Sequence, residues 1–238
     1  MNLLLPPAAL LFWVSFCVTL VVLAIACWCA AWSQLLALPI RQHALFAAIL
    51  TLAMFWLMQA HVQGTMAFHV MLMTVTTMVF GWGLAILIGA AALVVLKIFQ
   101  ISLHATTGIM TTLANVHPST IPVDFCLSVV VPVGWTCCVI WLVNRWKFKN
   151  PFTYFLGVGF FGAIASCVLT DISAYLLFAV TADEVYFAVI EEYFFSFLLL
   201  AFPEGFINGT IATALTVFWP DLVKTYHDDW FLKDERER

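Results

Sequence analysis

The first 123 residues of the chain contain only two charged side chains, Arg41 and Lys97. Long uncharged stretches favour a lipid environment, because a helix needs about 20 mostly apolar residues to cross the hydrocarbon core of a bilayer. Over all 238 residues, 64% are hydrophobic and 9% are charged, whereas a soluble domain has about 25% charged residues. This composition excludes an ordinary soluble domain, a disordered chain and a nucleic-acid-binding protein.

The apolar runs predict an all-α, polytopic integral membrane helical bundle. We expect a single domain over residues 1–222 and a charged cytoplasmic tail over 223–238. About seven transmembrane segments are predicted, at 8–31, 44–61, 66–81, 83–103, 124–143, 152–179 and 186–219. The third and fourth segments divide at the turn Gly81-Trp82-Gly83. Pro203 predicts a break in the last run, with a half-helix from about Glu204.

Basic residues predict the orientation of the bundle. Residues 144–149 form the densest basic loop, and the positive-inside rule places such a loop in the cytoplasm. Counting crossings from this loop puts eight of the nine basic residues inside and Asp183 and Glu184 outside. The amino terminus is then outside and the tail is cytoplasmic. The exception is Lys97, near the outer end of the fourth segment, where its side chain is expected to snorkel towards water.

Histidines are distributed unequally between the two faces. The same count of crossings places the following histidines at or near the outer face: His61, His69, His104 and His117. Neutral imidazole is the commonest protein ligand for late first-row metals, although interfacial histidines also satisfy loop hydrogen bonds. His69 lies inside an apolar run, where a polar side chain indicates function. On a helix it would share one face with Met66 and Met73, a thioether and imidazole set suited to a soft or borderline metal, although methionine also fills gaps in cores.

Carboxylates within the apolar runs are the other costly residues. Glu191, Glu192 and Glu204 lie in the last run, and Asp171 lies near the middle of the sixth. Glu204 is interpreted as a structural cap at the start of a half-helix, with an ion pathway or a partner contact as the alternative. Asp171 is expected to face the bundle interior. No nucleotide-binding or catalytic motif is present, so we expect neither an enzyme nor an organic cofactor.

Several motifs resemble the permease family of cobalt- and nickel-uptake energy-coupling factor ABC transporters. The resemblance covers roughly residues 60–232. Its most specific part is Phe202-Pro203-Glu204-Gly205-Phe206-Ile207-Asn208-Gly209. Its other parts are Asn150-Pro151-Phe152-Thr153-Tyr154-Phe155, Phe160-Phe161-Gly162-Ala163, Trp219-Pro220-Asp221, Tyr226-His227-Asp228-Asp229, and the stretch from Gly64-Thr65 through Phe68-His69 to Phe80-Gly81-Trp82.

The resemblance implies a membrane-embedded subunit that captures a divalent transition metal, with separate ATPase and coupling membrane subunits driving transport. Such permeases bind metal through the amino-terminal amine, a histidine at the second position and a histidine early in a later helix. This chain has Asn2 at the second position, so only His69 carries over, and His61 is the nearest imidazole that could replace the missing ligand. Nickel or cobalt is the expected substrate, with copper or zinc as alternatives.

The leading hypothesis is therefore a metal-uptake permease subunit in a bacterial cytoplasmic (inner) membrane, with His69 and His61 as metal ligands. The alternative is a non-transporting accessory subunit of a larger membrane complex, in which 22 Phe and 10 Trp would supply protein and lipid contacts. A haem-binding redox subunit ranks last, because His61 and His69 are eight residues apart on one stretch.

Overall fold

The computed structural model describes residues 1–107, 117–146, 150–181 and 183–226. Helices dominate the fold. The α-helices are α1 (Ala9–Cys29), α2 (Trp32–Ala37), α3 (Pro39–Leu57), α4 (Met73–Thr107), α5 (Ile121–Phe125), α6 (Val131–Arg145), α7 (Ala163–Thr181) and α8 (Glu184–Phe218). π-Helical turns at Cys126–Val130 and Thr153–Gly162 join α5 to α6 and lead into α7. Short strands β1 (Asn2–Leu3), β2 (Ala60–Val62) and β3 (Met66–Phe68) form one antiparallel sheet in the order β1-β3-β2.

Six helical stretches of the described chain are long and apolar enough to cross a membrane. They are Ala9–Cys29, Pro39–Leu57, Met73–Ser102, Pro118–Arg145, Thr153–Thr181 and Leu198–Phe218. Their outward faces are apolar too, with Trp28 90% and Leu199 77% exposed. A helix that is hydrophobic on all sides is typical of a membrane span. The fold is therefore that of a multi-pass helical membrane protein.

Helix α4 is divided at Gly81. This residue has φ 76° and ψ 174°, which is not helical, and a positive φ is readily adopted only by glycine. Gly89, eight residues after Gly81, lies against the side chain of Met73, eight residues before it. The two arms of α4 thus run side by side in opposite directions, as the expected turn at Gly81-Trp82-Gly83 requires.

Contacts define two ends of the bundle. At one, which we call the basic end, Arg41 Nη2 donates to the Asp221 carbonyl at 2.8 Å, and Lys224 N donates to the Val79 carbonyl at 3.0 Å. At the other, which we call the hairpin end, the β2–β3 hairpin meets the start of the chain. The loop over 147–149 and the tail from His227 onward, including Asp228 and Asp229, lie outside the described residues.

The segment expected as a helix over 66–81 differs from that prediction. Met66 lies in β3, His69 follows in extended chain, and helix begins only at Met73. The predicted helical face of Met66, His69 and Met73 is therefore wrong. The cause is the strand β1, which the apolar pattern did not indicate and which pairs with β3 through Asn2↔Ala67.

Helix α8 runs unbroken from Glu184 to Phe218 through Pro203, so the predicted half-helix does not form. Glu204 caps another helix instead: its Oε2 accepts Met71 N–H at 2.6 Å, and its Oε1 accepts Leu72 N–H at 2.8 Å. One turn later, Asn208 Oδ1 accepts Val75 N–H at 2.9 Å. These are the free N–H groups at the start of α4, which a carboxylate stabilises. The motif Phe202–Gly209 thereby fixes the segment that follows His69.

Candidate functional site

The amino-terminal nitrogen of Met1 lies inside the protein beside His69. It is 3.0 Å from His69 Nε2 and 2.9 Å from Ser128 Oγ, to which it donates a hydrogen bond. Met1 is 3% exposed and His69 4% exposed. An amine and an imidazole that are 68 residues apart in sequence are thus brought together in the buried interior.

Main-chain contacts hold the first eight residues in position. Ser128 Oγ donates back to the Met1 carbonyl at 2.6 Å, and Leu3 N donates to Asp124 Oδ1 at 2.6 Å. Tyr186 Oη accepts Leu5 N–H at 3.0 Å and donates to the Leu5 carbonyl. Ala8 N donates to Asp183 Oδ2 at 3.2 Å. Hydrogen bonds from α5, the adjoining π-turn and the start of α8 therefore hold the start of the chain in position.

A buried ion pair stabilises this position of the amino-terminal segment. Lys97 Nζ lies 3.0 Å from Asp124 Oδ2, and the side chains are 8% and 0% exposed. Thr120 Oγ1 donates to the same carboxylate oxygen at 3.0 Å, while the other oxygen accepts Leu3 N–H. Lys97 therefore does not snorkel to water as expected. It offsets the charge of the carboxylate that holds β1.

The His69 ring is oriented from both sides. Its Nδ1 donates to the Val70 carbonyl at 3.3 Å, which leaves the Nε2 lone pair facing the Met1 nitrogen. The ring packs on Trp56, with centroids 5.1 Å apart, and Trp56 Nε1 donates to the Met71 carbonyl at 3.0 Å. In metal-binding histidines, a hydrogen bond from the other ring nitrogen commonly fixes the orientation of the imidazole in this way.

Burial keeps both nitrogen groups neutral near pH 7. Burial lowers the pKa of the Met1 amine from 8.0 to about 6, although the nearby charges of Asp124, Asp171, Cys167 and Glu204 raise it. Burial, followed by the charge of the amine, lowers the pKa of His69 well below 6.5. Because metal ligands must be deprotonated, neither nitrogen has to lose a proton at neutral pH before it can bind a cation.

Asn2 contributes an unpartnered polar atom next to this pair. It is 1% exposed, and its Oδ1 has no hydrogen-bond partner among the described residues. Its Nδ2 donates to Gln59 Oε1 at 3.2 Å. A buried carbonyl oxygen without a donor is costly, and amide oxygen is a recognised ligand of hard cations such as calcium.

The separation of the two nitrogens fits shared coordination. Two nitrogen ligands that are each about 2.0–2.1 Å from a metal ion and about 90° apart are separated by about 2.9 Å. The observed distance between Met1 N and His69 Nε2 is 3.0 Å, at which the metal-free amine donates a hydrogen bond to the imidazole. Right angles between nitrogen ligands occur in the square-planar and octahedral geometries of several first-row metals.

His61 does not join this pair. It is exposed on β2, and its Nε2 lies 3.1 Å from Gln59 Nε2, which also links it to Asn2. His117 precedes a 3₁₀ turn, where its carbonyl accepts Thr120 N–H at 3.0 Å. The side chain of His104 and the whole of His227 lie outside the described residues.

The sequence did not indicate Ser128 and Asp124 as partners of the amino-terminal residues, because they are ordinary polar residues in the fifth apolar run. Their position near the start of an apolar run was the only available signal.

Among the described residues, no three His, Cys, Asp or Glu side chains group closely enough to hold a metal ion. Comparisons with protein-family models, curated proteins and solved structures found no match.

Proposed function

We propose that this protein is the substrate-capture permease subunit of an energy-coupling factor-type transporter that takes up a divalent transition metal. The observation that carries the proposal is the buried pair of Met1 N and His69 Nε2 at 3.0 Å. A neutral amine and a neutral imidazole suit nickel or cobalt, with copper or zinc as alternatives.

The contacts at the two ends support an outside amino terminus and a cytoplasmic tail. Arg41 and Lys224 lie at the basic end, which the positive-inside rule assigns to the cytoplasm. The Met1–His69 pair lies at the hairpin end and therefore faces the side from which an ion is taken up. Counting the first arm of α4, over residues 73–80, as a short crossing gives seven crossings, with the amino terminus outside. In this orientation the protein belongs to a bacterial cytoplasmic membrane.

Asn2 Oδ1 is the proposed third donor of the capture site. It occupies the position where the resembled family has histidine, and it is buried with no partner in the described chain. His61 is then an outer residue linked through Gln59 rather than a ligand of the captured ion.

Separate ATPase and coupling membrane subunits are the proposed partners, since the chain has no nucleotide-binding motif. A groove at the basic end offers them a docking place. It has a volume of about 570 Å³, and its lining includes Arg41, Asp221 and Lys224.

Calorimetric titration of the purified full chain with nickel and with cobalt tests the proposal. We expect one tightly bound ion in the wild type, and a loss of affinity of at least about 100-fold in His69→Ala. A chain with one glycine added before Met1, verified by intact mass, should lose affinity similarly because its amine is displaced. His43→Ala is the matched control, since this exposed imidazole lies on α3 near the basic end.

His61→Ala separates the two proposed roles of the outer histidines, and it should bind metal within a few-fold of the wild type. Equal binding by wild type and His69→Ala would overturn the capture site. Metal-free protein that copurifies with unrelated large membrane subunits would favour the accessory-subunit alternative.

A further inference from the structure

We propose that Asp171 and Cys167 form a second, inner cation station, which receives the ion after it leaves Met1 and His69. The inference rests on the proposed function and extends it from capture of the ion to its path through the bundle.

The two residues continue a buried stripe of α7 that begins beside Met1. The buried residues of this helix are Ala163, Ser166, Cys167, Thr170, Asp171, Ala174 and Phe178. Ala174 and Phe178 belong to the same apolar cluster as Met1. Asp171 lies about 4.5 Å further along the helix axis than Ala174, and Cys167 lies about 6 Å beyond Asp171. Both therefore lie deeper than the capture pair, in the direction of the basic end.

The Asp171 carboxylate is not satisfied by the protein. It is 5% exposed, and its Oδ2 has no hydrogen-bond partner in the described part of the chain. Ser166 Oγ, on the same buried stripe, is also without a partner there. An unpaired carboxylate in a membrane span is expensive and indicates an ion pathway. A passing cation would satisfy Asp171 Oδ2.

Glu204, another buried carboxylate of this region, already has hydrogen-bond partners on both oxygens. Its two oxygens accept hydrogen bonds from Met71 N, Leu72 N and Asn208 Nδ2. Asp124 is likewise occupied by Leu3 N, Thr120 and Lys97. Within the described ranges, Asp171 is thus the buried carboxylate near the Met1 amine that has an oxygen without a hydrogen-bond partner.

Cys167 determines which metal ions the inner station prefers. It is one helical turn from Asp171, where Cβ atoms are about 5–6 Å apart, and it is 5% exposed. Thiolate and carboxylate together favour a borderline divalent ion over magnesium or calcium. The thiol releases its proton to solvent when the ion binds. Two side chains bind more weakly than a full ligand shell, as an intermediate station requires.

Cobalt(II) titration of the detergent-purified full chain, followed by electronic absorption, tests the inference. The first equivalent should give a spectrum without a thiolate band. The second should add a thiolate-to-cobalt charge-transfer band, and Cys167→Ser should abolish that band while keeping the first equivalent. Asp171→Asn should weaken the second equivalent by at least about 10-fold to 100-fold. The matched control is Cys126→Ser, since Cys126 is an intramembrane thiol that contacts Ser15 and Thr19 on α1.

The outcomes separate this inference from the proposed function. One cobalt ion that depends on His69, with no thiolate band at any concentration, overturns the inner station and leaves the capture site standing. A thiolate band that survives in Cys167→Ser also overturns it. Absence of any bound cobalt overturns the inner station, and absence of bound nickel as well, in the calorimetric titration, also contradicts the capture site.

Discussion

At the residue scale, the buried Met1 amine gives the first prediction, which concerns pH. Its pKa is about 6 in the folded protein and 8.0 when unperturbed, so between these values the unfolded chain binds more protons than the folded one. The contribution of this amine to the free energy of unfolding is therefore fully present above pH 8. It is lost as the pH falls, by up to about 3 kcal/mol at pH 6. Below pH 6.5, the depressed pKa of His69 adds a loss of the same sign.

Thermal unfolding of the purified protein between pH 8 and 6.5 isolates the contribution of the amine. A chain with an acetylated amine is the control, and the unfolding temperature of the wild type should fall relative to this control as the pH falls through this window. Nickel affinity should stay level between pH 8 and 7 and fall below pH 6. An affinity that already falls about fivefold between pH 8 and 7 would mean that the amine keeps its ordinary pKa of 8.0.

Glu204 gives a second residue-scale prediction. Glu204→Gln replaces a carboxylate that accepts hydrogen bonds from Met71 N and Leu72 N with an amide that has one acceptor. Loss of a charged hydrogen bond in a buried site costs about 1.5–3 kcal/mol. Because the capped segment follows His69 directly, nickel affinity should fall together with the unfolding temperature. Glu191→Gln, an exposed carboxylate on the same helix, should change neither.

At the element scale, the reversal within α4 depends on Gly81. A Cβ at this position would lie 3.1 Å from Lys224 Cδ, and the backbone has φ 76°. Gly81→Ala therefore adds backbone strain of about 1–3 kcal/mol and displaces Lys224. Gly134→Ala is the matched control, because its φ is not positive and no atom lies within 4 Å of the added Cβ. Equal unfolding temperatures for the two variants would show that α4 does not reverse at Gly81.

Prediction from sequence succeeded for the long apolar elements and failed for the short paired ones. Residues 8–31 and 44–61 largely match α1 and α3, because about 20 apolar residues specify a span without reference to the rest of the chain. The two-residue strand β1 forms only because β3 and Asp124 are present. No local pattern records such partners, and a helical period was therefore assigned wrongly to the segment around His69.

The candidate site was likewise predictable only where local sequence specifies it, and not where it depends on tertiary contacts. His69 stands out in sequence because an imidazole in an apolar run is costly. The Met1 amine, Ser128 and the unpartnered Asn2 oxygen join it only through tertiary contacts. Glu204 was correctly interpreted as a structural cap, but it caps the start of α4 rather than its own helix.

At the scale of the whole molecule, we expect the hairpin end to be outside the cell and the basic end in the cytoplasm. A periplasmic reporter inserted at Gly64, in the exposed β2–β3 turn, should be active. A cytoplasmic reporter placed after Arg238 should also be active. If instead a cytoplasmic reporter were active at Gly64 and a periplasmic reporter were active after Arg238, the orientation would be the reverse of the expected one. The Met1–His69 pair would then lie on the cytoplasmic side, which contradicts uptake.

The central claim is that the Met1 amine and a single imidazole bind the transported ion. X-ray absorption at the nickel edge, on full-length protein loaded with one equivalent, tests it most directly. We predict nitrogen and oxygen ligands at about 2.0–2.1 Å, with outer-shell scattering from one imidazole that disappears in His69→Ala. Scattering from two imidazoles would restore His61 as a ligand in place of the amine. A bound nickel ion with no imidazole scattering would contradict the claim.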